Sequence, residues 1–268
     1  PHLMYLNRPL ANKWKIYQLL NGSTTLRKYL PLSEQVNVNA DIFRFLKKMN
    51  SAYLKPINGT GGRGILRIRR EGEQYVLSGR DHQRRLIPAQ KLSKTGVARK
   101  FAKLQTLKPY MIQQEIDCRL TSGQVHDFRL LMQKNGRGEW QVTGCAGRIG
   151  APRSVTSNLH GGGKAIARDQ LLSMRFPESK ISLIAQAMEE LAFLVLAELE
   201  KHFHELCEVA LDIAVDRTGH PWLLEINPKP SREIFRKTGD RKTYREAIRR
   251  PLEYAVWLYG NRAKTTRM

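Results

Sequence analysis

One short stretch limits what this chain can fold into. Tyr53-Leu-Lys-Pro-Ile-Asn-Gly-Thr-Gly-Gly-Arg-Gly-Ile-Leu-Arg-Ile-Arg-Arg70 carries the pattern Gly59-x-Gly61-x-x-Gly64. A dinucleotide-binding loop of that pattern runs from a strand directly into a helix, so that the pyrophosphate meets the helix N-terminus. Here the loop is followed by Ile65-Leu-Arg-Ile-Arg69 and then Gly72, which reads as an alternating strand. A P-loop is also excluded, because no Gly-Lys-Ser/Thr follows at the required place. What remains is a glycine loop between two antiparallel strands, whose backbone amides can close over phosphates. Protein kinases use such a flap, but they need a His-Arg-Asp loop and then Asp-Phe-Gly. Lys55 precedes the loop here, and Asp127-Phe-Arg129 is not joined by those signatures. The competing structural reading is a hairpin with a flexible glycine tip.

Around this loop the hydrophobic period alternates between helix and strand. Residues 10–20 read as a helix stopped by Asn21-Gly22, and Ile42, Phe45, Leu46 and Met49 share one face of a helix over about 41–49. Strands are expected over 52–57, 65–69, 74–78 and 110–116. A polar, basic stretch over 79–108 predicts a helix around 91–104. Residues 126–133 and 140–144 form a hairpin with its turn at Asn135-Gly136. A long helix over 179–204, a second hairpin over 208–227 and a final helix over 244–259 follow. Helices and strands alternate without the spacing of parallel crossover units, so the fold class is α+β.

The chain has 268 residues, 41% of them hydrophobic, enough for one large domain or two lobes. No apolar run approaches the ~20 residues of a membrane span, and Glu189, Glu190 and Glu198 interrupt the most apolar segment. No signal peptide is visible at Pro1-His-Leu-Met. Cys118, Cys145 and Cys207 form no CxxC pair, so neither a disulfide framework nor a zinc site is suggested, and cytoplasm is the default compartment. The unusual quantity is charge: 46 Lys+Arg against 24 Asp+Glu gives +22. Such a field attracts polyanions, nucleic acid or anionic membrane among them. The basic residues are dispersed, however, and no RNA-binding aromatic motif, helix-turn-helix or zinc finger accompanies them.

The hairpin Val209-Ala-Leu-Asp-Ile-Ala-Val-Asp-Arg-Thr-Gly-His-Pro-Trp-Leu-Leu-Glu-Ile-Asn-Pro228 carries the second chemical signal. A turn near Thr218-Gly219 sets Asp212 opposite Glu225, and strand alternation puts Glu225 and Asn227 on one face. Two carboxylates and an amide oxygen suit Mg²⁺, a hard ion that shares its shell with phosphate oxygens. A register slip of one would turn Asp212 away. Asp216 is the competing carboxylate, nearer the turn. Charges among Leu211, Ile213, Leu224 and Ile226 are costly without a partner, which favours a cation.

In order, Lys55, the Gly59–Gly64 flap, Gln113-Gln-Glu-Ile116, Asp127-Phe-Arg129 and Glu225-Ile-Asn227 resemble the ATP-grasp enzymes. Asn12-Lys13 is similar to the segment with that family's first ATP-binding lysine. Leu54-Lys-Pro-x-x-Gly-x-Gly-Gly-Arg-Gly-Ile65, Gly147-Arg-Ile-Gly150, Ser157-Asn-Leu-His-Gly-Gly-Gly163 and Glu225-Ile-Asn-Pro-Lys-Pro230 look like its endospore coat-associated, YheC/YheD-type branch. The resemblance implies two α+β lobes clamping ATP: residues 31–112 as the smaller lobe and 113–268 as the larger. Residues 1–30 would be a helical segment, the remnant of a preceding domain that helps hold the acceptor. Lys13 and Lys55 would contact phosphates, the amides of Gly61, Gly62 and Gly64 would cover them, and backbone groups at Gln113, Gln114, Glu115 and Ile116 would hold adenine. Glu115 or Asp117 would reach the ribose. Arg129 and Arg148 would neutralise the moving phosphoryl group. Asn158 and Gly161–Gly163 would line the acceptor side, with His160 an incidental neighbour. Asp212, Glu225 and Asn227 would hold Mg²⁺, with Mn²⁺ the alternative ion. The implied activity is a carboxylate–amine ligase working through an acyl-phosphate, its carboxylate and amine substrates anionic or polymeric given the charge. The alternative is a non-catalytic, spore-associated or polyanion-binding protein that keeps the fold. A kinase stopping at phosphoryl transfer is a weaker third reading.

Overall fold

The change of period on either side of the glycine loop is carried through into two antiparallel sheets. The computed structural model describes residues 6–7, 9–59, 61–105, 108–204 and 206–265, with side chains up to residue 261 apart from residue 105. In chain order the elements begin with α1 (Lys13–Gly22), α2 (Thr24–Arg27), β1 (Ser33–Val36), α3 (Asn39–Met49), β2 (Ser51–Pro56) and β3 (Leu66–Glu71). There follow β4 (Gln74–Arg80), β5 (Leu86–Leu92), α4 (Lys94–Gln105), β6 (Tyr110–Gln114), β7 (His126–Lys134) and β8 (Trp140–Ile149). The chain continues through β9 (Lys164–Ala167), α5 (Arg168–Ser173), α6 (Glu178–Glu200), β10 (Glu208–Val215), β11 (Pro221–Asn227), α7 (Glu233–Lys237) and α8 (Arg241–Thr265).

The first sheet has the order β1-β6-β2-β3-β4-β5 and the second β11-β10-β7-β8-β9. Within β2 the burial alternates, so Ala52 and Leu54 enter the core formed with α3, α4 and β6. Tyr53 and Lys55 are thereby left on the opposite face, which looks into the cleft between the sheets. In the second sheet, Phe128, Leu130 and Met132 of β7 pack with Leu211 and Ile213 of β10 against the apolar face of α6. The reverse face is covered at one end by Ile234 and Phe235 of α7 and Ala247 of α8, over Leu131, Ala146 and Ala210. At its other end that face carries Asp127, Arg129, Arg148 and Asp212. The site is thus the uncovered end of a face whose remainder is core.

Several expectations change in detail. β6 belongs wholly to the first sheet, so the lobes divide after Gln114 rather than at 112/113. Ile16, Leu20, Leu26 and Leu30 join the core of the second sheet, so residues 1–30 do not stand apart wherever they are described. α1 runs through Gly22 and is closed by Ser23. β5 was not expected: it is an edge strand with Pro88 and mostly exposed side chains, so it shows no alternation. The helix expected over 91–104 starts only after β5 ends. The hairpin between β7 and β8 turns over residues 135–138, with Asn135-Gly136 as its first two residues and the Gly138 amide donating to Asn135 O at 3.0 Å. Asn135 Oδ1 accepts from the amides of Arg137 and Glu139, and Gly138 takes the left-handed conformation at φ 79°. α6 stops at Glu200, short of the expected 204. Among the described residues no helix is long and apolar enough to cross a membrane.

Candidate functional site

The register of the second hairpin places the acidic residues as expected. Asp212 pairs with Glu225 and Ala210 with Asn227, and a bulge between Asp212 and Ile213 leaves Leu224 as the extra residue. Bulges re-aim side chains beside functional sites, and Leu224 here lines both principal cavities of the cleft. Asp216 instead caps the turn, where its carboxylate accepts from the Thr218 amide and hydroxyl, the His220 amide and Trp222 Nε1.

Asp212 is buried within a four-residue network. Arg129 donates through Nε and Nη2 to its two oxygens at 2.9 Å each, and Arg148 Nη2 approaches Oδ2 at 3.0 Å. Arg148 also grips Asp127, with Nε to Oδ1 at 2.7 Å and Nη2 to Oδ2 at 2.5 Å. Burial pushes the Asp212 carboxyl up, but the guanidiniums of Arg129 and Arg148 outweigh it and hold the group well below the usual carboxylate range. Arg148 is raised in turn: Asp127 and Asp212 overcome the burial that would lower it. The two arginine charges are therefore matched by two carboxylates. The net positive charge facing the flap comes from the lysines.

Lys55 Nζ donates to Gln113 Oε1 at 2.5 Å and stands 5.9 Å from the centre of the Tyr53 ring. Burial lowers its pKa, with Glu225 opposing and Lys13 adding to the fall. Lys13 Nζ lies 3.2 Å from Glu225 Oε1 and also donates to the Gly59 carbonyl, so it links β11 to the glycine loop. Lys13, Lys55, Gly59, Gly61, Gly62 and Glu225 together surround one narrow space under the loop.

Gly61, Gly62 and Gly64 all have left-handed φ, at 67°, 74° and 71°. At Gly62 the need for glycine is also steric, because a Cβ there would sit 2.2 Å from Asn158 Nδ2. The loop thus reaches across the cleft onto the segment holding Asn158 and Gly161–Gly163. Residues 80–85 prop it from behind: the Gly64 amide donates to Asp81 O at 3.0 Å, and Arg80 donates to Arg84 O at 2.8 Å and Gly161 O at 2.9 Å. Arg80 and Arg84 were missed from sequence, because 79–108 lacks a period; the basic cluster around Asp81 was the available sign.

Gln113, Gln114 and Ile116 line a cavity of about 90 Å³ together with Tyr53, Arg148, Asn158 and Asp212. Gln114 is tied to the residue before β1: its Oε1 accepts from the Leu32 amide at 3.1 Å. The Glu115 side chain turns elsewhere, to Arg67 Nε at 2.8 Å, Arg119 Nη2 at 3.3 Å and Ser51. Asp117 pairs with Arg217 at 2.6 Å. Neither carboxylate lines the cavity, so the structure brings neither of the two expected ribose contacts to it. Arg129 lines neither principal cavity, and His160 is exposed on a short 3-10 turn. The three cysteines are free, their thiols pushed up to about 12 by burial, which makes them poor nucleophiles.

Among the described residues no three His, Cys, Asp or Glu side chains cluster as a metal-holding group. The expected set is two carboxylates and an amide, and it fits a hard cation in two respects. Glu225 faces a cation already, Lys13 at 3.2 Å, and Asn227 shares its strand face with its amide oxygen available. The unpartnered Asn227 Nδ2 is a donor and calls for an acceptor oxygen, as on a phosphate or carboxylate. Asp212 is the weaker member, since both its oxygens already serve Arg129 and Arg148.

The sequence signature described as YheC/D like ATP-grasp matches residues 2–258. The endospore coat-associated protein YheC of Bacillus subtilis (strain 168) is 27% identical over 271 residues, covering 98% of this chain and 72% of that protein. YheD of the same organism, also endospore coat-associated, is 26% identical over 255 residues, covering 95% of this chain and 56% of that protein. Among solved structures, the D-alanine-D-alanine ligase from Coxiella burnetii matches with a TM-score of 0.58 at 10% identity, over 96% of this chain and 60% of that one. The chain thus spans less than two thirds of YheD and of that ligase. At 10% identity the likeness to the ligase is one of fold, and it agrees with the two α+β lobes described above.

Proposed function

The chain belongs to the YheC/D-like ATP-grasp family, and from that premise we propose that it is an Mg²⁺- and ATP-dependent carboxylate–amine ligase. One observation carries the reading: Lys13, Lys55, the glycine loop and Glu225 enclose a single space. Two ammonium groups and a set of left-handed glycines are what a triphosphate needs from a protein. The base lies in the cavity lined by Gln113, Gln114, Ile116 and Leu224, and the phosphates run beneath Gly61, Gly62 and Gly64. A cation held by Asp212, Glu225 and Asn227, Mg²⁺ or Mn²⁺, would neutralise charge on the phosphate oxygens. Lys55, desolvated beside Gln113, presents its charge where little water competes. Arg148 and Asp212 line the same cavity and act as a matched pair that fixes the geometry there.

In the reaction a carboxylate oxygen takes the terminal phosphoryl group as the bond to ADP breaks. The amine nitrogen then attacks the acyl carbon, its proton is lost, and inorganic phosphate leaves. Asn158, against Gly62 of the flap, lies on the side where the amine would enter. Because the relatives are named for the endospore coat, we assign the product to that structure. The +22 charge favours an anionic or polymeric substrate. The same charge supports a second reading, a polyanion-binding protein without turnover, which salt-dependent retention on nucleic acid with no ADP release would favour.

The test is ADP release over pairs of carboxylic acids and amines, comparing the wild type with Glu225→Gln. Turnover should fall by at least tenfold in the variant; unchanged turnover rules out the cation site.

A further inference from the structure

Beside the phosphate space lies a second, larger cavity of about 260 Å³, between α1 and β11. Much of its wall is apolar: Leu10, Ile16, Leu20, Leu30, Met111 and Leu223 line it. Lys13, Lys55, Gly59 and Glu225 line both this cavity and the phosphate space, so the two meet at those residues. Asn227, whose buried Nδ2 has no partner, lines the cavity as well. Gln114 and Ile116 do not; they line the other cavity, which shares Lys55, Gln113, Leu224 and Glu225 with this one.

Protein interiors keep few voids larger than a water molecule, and ligand sites are apolar hollows with a few convergent polar groups. This hollow shares Lys13, Lys55 and Glu225 with the phosphate space, and Asn12, Tyr17, Asn58 and Gln113 are further polar residues on its wall. We propose that it is the subsite for the tail of the carboxylate substrate: a carboxylic acid with a compact aliphatic chain. The chain packs on Ile16, Leu20, Leu30 and Leu223, while the carboxylate lies at Lys13 and the Asn227 amide, facing the phosphates. The volume of about 260 Å³ lies just below the ~300–1,000 Å³ of ligand pockets, so the occupant is a short acid rather than a long lipid. This subsite rests on the ligase reading above and goes beyond it by naming the acid.

The experiment uses straight-chain acids from acetate to octanoate with ATP, and hydroxylamine as the trapping amine, reading hydroxamate and ADP. Burying each methylene raises kcat/KM roughly fourfold, until the hollow is full and the rise stops. Ile16→Phe narrows the wall and moves that limit to a shorter acid, whereas Met111→Ala moves it to a longer one. Both should leave the dissociation constant of ATP unchanged. Calorimetric binding of hexanoate, with a non-hydrolysable ATP analogue present, gives a readout independent of turnover and should weaken in Ile16→Phe. A flat chain-length profile, a limit that neither variant moves, or hydroxamate formed only from acids without an aliphatic tail overturns the subsite and leaves the ligase reading standing. Absence of ATP binding and of any hydroxamate overturns both.

Discussion

Replacing Gly62 by alanine tests whether the glycine loop closes over phosphates in the conformation described. Gly62 sits at φ 74°, where a residue with a Cβ is disfavoured by about 1–2 kcal/mol. The added Cβ would also lie 2.2 Å from Asn158 Nδ2, so Asn158 must swing away or the loop must lift. The backbone cost alone lowers the population of the closed loop by about 5–30-fold, at 1.4 kcal/mol per tenfold. ATP binding by calorimetry should weaken by that factor, and ADP release should fall at least as much. Thermal unfolding should change little, because Gly62 belongs to none of the cores and the loop can open to avoid the strain. Adding Asn158→Ala removes the contact but not the φ penalty, so the double variant should bind ATP better than additivity allows, by at least about 0.5 kcal/mol. ATP binding unchanged in Gly62→Ala would refute the closed flap, and strict additivity would refute its contact with Asn158.

Lys55 should make ATP affinity depend on pH. Burial lowers its pKa, so the ammonium is lost at a lower pH than for an exposed lysine, and affinity falls as pH rises through that value. Lys55→Arg, always charged, should flatten the profile measured from neutral pH to about pH 10. Stability runs the other way: with the folded pKa depressed, the folded state gains as pH rises from that value to the ordinary lysine one. Asp212→Asn leaves Arg148 with Asp127 but Arg129 without a carboxylate, one unmatched charge in the network, a loss of about 3–5 kcal/mol that lowers Tm by roughly 10 °C. A Tm change under about 2 °C would mean the network carries little stability. Because the Asp212 carboxyl is held low, its contribution is complete above the ordinary aspartate pKa and lost as pH falls through the depressed value.

Much of this arrangement was legible in the sequence, because it depends on local pattern. A glycine loop followed by an alternating strand reads as a connection between antiparallel strands, and β2 and β3 enclose it as the period requires. The pairing of Asp212 with Glu225 followed from one turn and a period of two, and the bulge at Leu224 leaves that pair intact. β5 and β9 gave no such signal. β5 carries Pro88 and mostly exposed side chains, and β9 has four residues, none of them buried, so neither shows an alternation.

What could not be read was the choice of partner made by each charged side chain, since that choice is between residues far apart in sequence. Glu115 follows a strand that borders the cleft, and by position alone it could face a ribose as readily as a guanidinium. Arg67, from β3, and Arg119, from the turn beyond, settle it, and neither is distinguishable in a chain with 46 basic residues. Arg129 and Arg148 show the same limit from the other side. Their positions on β7 and β8 are set by strand alternation, but only the pairing of β7 with both β8 and β10 brings Asp127 and Asp212 within reach of them. A buried guanidinium must be matched wherever the fold puts it. Here the match comes from neighbouring strands of the same sheet, which leaves Lys13 and Lys55 as the cations beneath the glycine loop.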